Sequence, residues 1–316
     1  MSNRTGPTIV VLGAGAIGSY FGGRLARAGQ SVTLIGRRDH VDAINRDGLL
    51  YQSGDTEERI AVIATTDIAA VAGAELILFC VKNFDTEAAA AKIAPHLALD
   101  AVIVSLQNGV DNAERIHRHC KNQVVSALIY IGANIPAPGH VRHTGGGNVI
   151  IGQVGRGGGD PGSDLLGGIA RLFTNAGIAV NIAESIETDL WIKLVMNCAY
   201  NAICALCGAP YGRMVASPEI AGVMRDVVAE VVAVARAKGV SLPGDIAETA
   251  IKFADAMPQT MSSTAQDIAK GRRTEIDHLN GYVARQGEAL GIPTPVNRTL
   301  TALVKLLEQT RSAIPP

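Results

Sequence analysis

The stretch VVLGAGAIGSYFGGRLA, residues 10–26, decides how the first half of the chain is read. An apolar run leads into Gly13, Gly15 and Gly18, a G-x-G-x-x-G array, and a segment of helical periodicity follows as far as Gly29. The array alone is a weak signal, but here it follows a buried strand, opens a helix and lies within one strand–helix–strand unit. In that setting Gly13 permits the tight turn, Gly15 lets backbone approach a pyrophosphate, and Gly18 lets helix pack on strand. The helix start at Ala16, Ile17 and Gly18 offers amide N–H groups and the positive end of the helix dipole to phosphate. A dinucleotide is the implied ligand.

The end of the next strand indicates which dinucleotide. A site selective for NAD places Asp or Glu there, about 20 residues past the glycines, to bind the ribose 2′-hydroxyl. This chain reads VTLIGRRDH, with Gly36 at that place and Arg37 and Arg38 after it. Guanidinium forks suit a 2′-phosphate, so NADP (NADPH) is the expected cofactor unless Asp39 turns inward.

Working outward, TIVVLG (8–13), SVTLIG (31–36), ELILFCV (75–81), AVIVSLQ (101–107) and VVSALIYI (124–131) are nearly continuous apolar runs, as expected of strands buried on both faces of a parallel sheet. The glycine-laden GQVGRGGGDPGSD (152–164) reads as an exposed turn, because Asp160 and Asp164 would repel phosphate. After about residue 183 helical patterns succeed one another through 184–206, 217–238, 243–256, 262–290 and 296–311, with a break at GIPTP (291–295). The expected fold class is α/β: a Rossmann-type doubly wound sheet over 1–183 that binds NADP, then an all-α substrate and catalytic domain over 184–316. A cleft between two such domains is a common place for a small-molecule site.

With 28 basic and 29 acidic residues the formal net charge is −1, which gives no electrostatic grip on nucleic acid or anionic lipid. The start MSNRTGPTIVVLG is too short for a signal-peptide core, and no window reads as the roughly 20 apolar residues of a membrane span. Cys80, Cys120, Cys198, Cys204 and Cys207 read as reduced, buried thiols of a cytoplasmic protein. Cys204 and Cys207 have C-x-x-C spacing but lie in an apolar helical stretch without a second ligand pair, so no metal site is expected. Apolar strips on the helical half could pair two copies as a homodimer.

Within LWIKLVMNCAYNAICAL (190–206), Lys193, Asn197 and Asn201 recur every four residues and share one helix face at about 100° per residue. A solvent-facing stripe is the plain reading, but Asn forms helices poorly and needs another reason to sit inside one. The other reading is the wall of a substrate site.

Taken in order, GAGAIG, VTLIGRR, VKNFDT, LQNGV, GHVRHTGGGNVIIG, WIKLVMNCAYNAICAL, SSTAQDIAKGRRTEIDHLNG and GIPTPVN make the chain resemble the ketopantoate reductases (2-dehydropantoate 2-reductases) over nearly its whole length. The resemblance implies that Lys193 is the general acid and that Glu275 holds the substrate's hydroxyl end beside it. It implies that Asn197 and Asn201 line the substrate pocket and that Ser263 contacts the substrate carboxylate. It places Asn108 and Lys82 at the nicotinamide side, Asn108 also against the substrate, and Arg37 on the 2′-phosphate. The chemistry agrees. Hydride transfer to an α-keto acid creates an alkoxide that a positioned cation must stabilise and protonate, and a carboxylate keeps that cation charged in a partly buried site.

Each placement has a plainer alternative. Glu275 could be a surface helix charge, Lys82 ordinary surface, Asn108–Gly109 a turn pair, and Ser263 a helix N-cap with Gln266 completing a capping box. The chain also departs from the family, which often has Asn where Tyr211 and Thr260 stand here. These changes could favour another branched or aromatic 2-keto acid over ketopantoate. A non-catalytic NADP-binding sensor is the third reading.

Overall fold

The computed structural model describes residues 6–154 and 164–312, the side chains of 311 and 312 excepted. The chain divides into two compact units, Met1–Ile186 and Glu187–Pro316. The first carries β1 (Thr8–Leu12), α1 (Ala16–Arg27), β2 (Ser31–Ile35), α2 (Arg38–Asp47), β3 (Leu49–Ser53), β4 (Thr56–Ile60), β5 (Ile63–Thr65), β6 (Leu76–Phe79), α3 (Thr86–Ile93), β7 (Val102–Ser105), α4 (Asn112–His117), β8 (Val124–Ala137), β9 (His140–Gly152), α5 (Asp164–Asn175) and β10 (Ala179–Ile182). The second carries α6 (Ile186–Cys207, whose first residue falls in the first unit), α7 (Tyr211–Val215), α8 (Pro218–Ala237), α9 (Ile246–Lys252), α10 (Ser263–Ala269), α11 (Asn280–Leu290) and α12 (Pro295–Ser312).

The described strands form one sheet in the order β4-β3-β9-β8-β7-β6-β1-β2-β5, with β10 on β9. The five apolar runs all fall in its parallel centre, β8-β7-β6-β1-β2. In β1, Ile9 and Val11 enter one core cluster and Val10 and Leu12 the other, so alternate residues serve opposite faces and all four must be apolar. Phe21 and Leu25 of α1 and Phe173 of α5 cover one face; Ala90 and Ile93 of α3 and Ile116 of α4 cover the other. The sheet is mixed rather than wholly parallel, since β3–β4 and β8–β9 pair antiparallel. Chain order runs from β1 to β2 and β5 on one side and through β6 and β7 on the other. The topological switch point therefore lies between β1 and β6.

The helical reading of 262–290 is corrected: α10 stops at Ala269, and Gly271 takes a left-handed φ of 60°. The Gly271 amide bonds the Ile268 carbonyl at 3.0 Å and the Arg272 amide the Asp267 carbonyl at 2.8 Å, a Schellman cap that a continuous helix could not form. The chain then runs extended and through a short 3-10 turn (Ile276–His278) into α11, with Glu275 just before that turn.

α6 is long and apolar enough to cross a membrane by length and composition, contrary to the expectation that no window would be. With 61% of its most apolar window buried inside the protein, it is a core helix. Cys120, Cys198 and Cys204 are buried, Cys80 is half-buried, and Cys207, expected inside, is exposed at the α6 terminus. Of the segment 152–164 read as a turn, residues 155–163 lie outside the described residues.

Candidate active site

In the first unit the carboxyl ends of β1, β2, β6 and β7 carry the residues singled out above. Gly13 and Ala14 both donate to the Ile35 carbonyl, at 3.0 and 2.8 Å, which ties the glycine loop to the end of β2. At Gly13, with φ 101°, a Cβ would stand 2.8 Å from the Val81 amide nitrogen; at Gly18 it would stand 2.1 Å from the Gly13 carbonyl oxygen. Both glycines are thus required by the fold itself.

Gly15 differs. Its φ is −79°, and a Cβ there would meet nothing within 4 Å. Neither backbone strain nor packing demands glycine, and its bare backbone borders open space. Gly15 is the N-cap of α1, with no side-chain cap and no acidic residue in the first turn. By position the Ala16, Ile17 and Gly18 amides are donors that a helix start leaves without an intrahelical partner, and an anion suits them.

Gly36 explains the missing acid at the end of β2. A Cβ there would fall 2.9 Å from the Ala14 Cβ, so a carboxylate cannot be added without moving the glycine loop. Arg37 and Arg38 follow, both exposed, and Asp39 is exposed in the first turn of α2 rather than turned inward. His40 braces this edge from within. Its Nδ1 accepts from the Gly139 amide at 2.9 Å, and its Nε2 lies 3.0 Å from Ser19 Oγ, which bonds the Ala14 carbonyl at 3.3 Å. Lys82 is exposed beyond β6, and Asn108 is half-buried beyond β7.

In the second unit α6 presents Lys193 and Asn197, both half-buried, and Asn201, which is 4% exposed. The Asn201 Nδ2 donates to Asn197 Oδ1 at 3.5 Å, so the two carboxamides form one polar strip. Burial draws the Lys193 ammonium down to about 8, and the Glu275 carboxylate opposes that pull. Glu275 is 8% exposed and lies in the segment freed by the Gly271 cap; it is not a surface helix charge. An ammonium that gives up its proton near neutrality, beside a carboxylate and two carboxamides, can protonate an oxyanion while binding a polar acid.

Ser263 is exposed at the start of α10, and the helix is capped by Ser262 instead. Ser262 Oγ accepts from the Ala265 amide at 3.1 Å and donates to the Asn201 carbonyl at 3.2 Å. Gln266 does not complete a capping box; its Nε2 donates to the Met261 carbonyl at 3.1 Å. The capping residue is therefore one position earlier than expected, because Ser262 has the extended backbone of an N-cap. The Tyr211 amide donates to the Thr260 carbonyl at 3.1 Å, and the Tyr211 ring packs 4.4 Å from Tyr200, which itself contacts Phe253. Tyr211 and Thr260 are thus joined to each other, and Tyr211 packs on the residue that precedes Asn201 in α6.

With this geometry in place, known proteins give a consistent answer. Residues 9–156 match the family Ketopantoate reductase PanE/ApbA, and residues 185–308 match Ketopantoate reductase PanE/ApbA C terminal. The chain belongs to the ketopantoate reductase family. It is 35% identical over 304 residues to the 2-dehydropantoate 2-reductase of Halobacterium salinarum, covering 95% of this chain and 99% of that one. A PanE/ApbA family ketopantoate reductase from Ralstonia eutropha JMP134 is 46% identical, with a TM-score of 0.89 over 96% of this chain and 99% of that one. The 2-dehydropantoate 2-reductase of Methylococcus capsulatus is 29% identical, with a TM-score of 0.86 over 97% and 98%. The protein is an oxidoreductase of this family.

Inside this ketopantoate reductase family member a buried polar chain that the sequence reading missed supports the α6 strip. Both Glu230 oxygens accept from the start of α12, from the Val296 amide at 2.8 Å and from the Asn297 amide and Nδ2 at 2.9 and 2.7 Å. Asn297 Oδ1 accepts from Asn280 Nδ2 at 3.0 Å, and that nitrogen also reaches the Cys198 carbonyl of α6 at 3.1 Å. The chain links α8, α12, α11 and α6, one residue from Asn197. Asn297→Ala strips the Glu230 carboxylate and the Asn280 amide of a partner, for an expected loss of about 2–4 kcal/mol in urea unfolding. A loss within the roughly 0.5 kcal/mol of ordinary surface substitutions would contradict this role.

Proposed function

We propose that the protein reduces 2-dehydropantoate (ketopantoate) to pantoate with NADPH, in the cytoplasm, on the route to pantothenate. The observation that carries this reading is the alignment of Lys193, Asn197 and Asn201 on one face of α6, with the Glu275 carboxylate opposing the burial that draws the lysine down. The Gly13–Gly18 loop would hold the pyrophosphate, Arg37 the 2′-phosphate, and Asn108 and Lys82 the nicotinamide half. A bound reduced nicotinamide supplies the hydride that C2 accepts. Lys193 Nζ gives its proton to the C2 oxygen as that oxygen gains charge, so the ketone becomes an alcohol without free alkoxide. Glu275 accepts the substrate hydroxyl hydrogen bond and favours the protonated lysine. The amide groups of Asn197 and Asn201 donate to the carboxylate and accept from hydroxyl, with Ser263 a further donor at the carboxylate.

The support for NADPH is steric as well as electrostatic: Gly36 has no room for the acid that binds a 2′-hydroxyl, and two guanidiniums follow it. Steady-state reduction of ketopantoate with either cofactor tests this. NADPH is expected to be preferred, and Arg37→Ala to reduce the preference by about tenfold or more, as loss of a charge-assisted contact to phosphate should. Equal use of NADH by the wild type would overturn the cofactor assignment.

A second reading rests on Tyr211. Its ring, with Tyr200 and Phe253, puts an aromatic cluster where the family often has Asn, which suits a bulkier or less hydroxylated 2-keto acid. A panel of branched and aromatic 2-keto acids decides between the two readings. Ketopantoate should give the highest kcat/KM under the first and an aromatic acid under the second.

A further inference from the structure

The loops that carry Lys82 and Asn108 are joined by a buried cation outside the residues used so far. Arg115 lies in α4 with its side chain only 4% exposed. Its Nε and Nη2 fork onto both oxygens of Glu87 in α3, at 2.7 and 2.6 Å, and Nη2 also donates to the Asn83 carbonyl. The Nη1 donates to Asn112 Oδ1 at 3.2 Å and stands 3.8 Å from Asp111.

The two carboxamides in turn converge on one atom. Asn83 Nδ2 and Asn112 Nδ2 both donate to the Asn108 carbonyl, at 2.9 and 2.7 Å. Beside them Gln107 Nε2 bonds the Val81 carbonyl at 2.9 Å and Thr86 Oγ1 at 2.8 Å, a second bridge between the same loops. The Asn83–Asn108, Arg115–Asn83 and Gln107 bonds join the segment after β6 to the segment after β7, and the Arg115–Glu87 fork ties the two helices that follow. That is the side of the β1–β6 switch point opposite Arg37, where the half of a dinucleotide beyond the pyrophosphate must lie.

A buried guanidinium is costly to desolvate, and apolar side chains of similar volume often serve stability as well or better. What Arg115 adds is geometry, since its planar fork fixes the directions of several acceptors at once. We propose that Arg115 is a positioning residue for the nicotinamide half of the cofactor. Acting through Asn83 and Asn112, it sets the Asn108 and Lys82 loops before the ligand arrives, so less ordering is left to the binding step. This inference rests on the dinucleotide reading of the first unit.

The test measures, on the full-length protein, the dissociation constants of NADPH and of the same molecule lacking nicotinamide, 2′-phospho-ADP-ribose. Wild type is compared with Arg115→Met and with Glu87→Gln, the milder change, which keeps the inference testable if Arg115→Met does not fold. Either variant is expected to weaken NADPH about tenfold, as lost preorganisation should, with the nicotinamide-free ligand changed less than about twofold. A fall in kcat of about 10² should accompany this, as expected for a misplacement near 1 Å. Equal weakening of both ligands would mean the cluster only holds the fold, and unchanged NADPH binding would mean it positions nothing; both overturn the proposal. A wild type that binds neither ligand would overturn the dinucleotide reading and this inference with it.

Discussion

Lys193→Ala is expected to lower kcat by about 10²–10⁴, the usual contribution of a general acid, and to leave the NADPH dissociation constant unchanged. The lysine belongs to the second unit, while the amides and arginines assigned to the cofactor phosphates belong to the first. Arginine should not replace it, because a guanidinium binds an oxyanion but does not release a proton near neutrality. Stability should move the other way. The folded pKa of about 8 lies below the ordinary 10.5, so between these values the unfolded chain binds the extra proton and stability rises with pH. Below pH 8 the buried ammonium is a net cost to the fold. Lys193→Met, which keeps the apolar stem, should therefore melt no lower than wild type at neutral pH. An unaltered kcat, or a kcat lost only together with Tm, would remove Lys193 from the chemistry.

The second large effect separates two glycines three residues apart. Gly18→Ala drives a Cβ to 2.1 Å from the Gly13 carbonyl oxygen and 2.9 Å from Val11 Cγ1. It should cost about 1–3 kcal/mol of stability as overpacking. Gly15→Ala meets nothing in the protein, so Tm should stay within about 1 °C of wild type or rise slightly, since alanine narrows the unfolded ensemble. Yet its methyl enters the space assigned to the pyrophosphate. NADPH affinity should fall about 10²-fold, as expected when a close backbone approach is blocked. Calorimetric titration and thermal melts on both variants read these quantities. If Gly15→Ala bound NADPH like wild type, the pyrophosphate would lie elsewhere.

The parallel centre of the sheet was legible because strands buried on both faces leave few polar positions, and its five strands read as five apolar runs. The outer strands were not. In β4 the first four residues, TEER, are exposed, so the run has no apolar signature. The break at Gly271 was hidden because one glycine in a periodic stretch reads as tolerated, whereas its role as a helix cap depends on bonds to Asp267 and Ile268. The α6 stripe was visible as a four-residue period, and Glu275 was visible only through the family pattern. Arg115 and Glu230 gave no signal, and Asn297 entered only as the last residue of GIPTPVN, with no role attached to it. Each sits among ordinary helical charges and amides, and their value lies in partners 28, 67 and 17 residues away.

The most direct measurement is the pH dependence of kcat for ketopantoate reduction by NADPH, in wild type, Lys193→Ala and Glu275→Gln. The acid must be protonated to act, so wild-type kcat should fall as pH rises through about 8. Glu275 raises the lysine's affinity for its proton, so Glu275→Gln should move that fall to lower pH. Residual activity in Lys193→Ala should show no ionisation there. A wild-type profile flat through this range, or the same alkaline fall surviving in Lys193→Ala, would contradict the assignment of Lys193 as the proton donor.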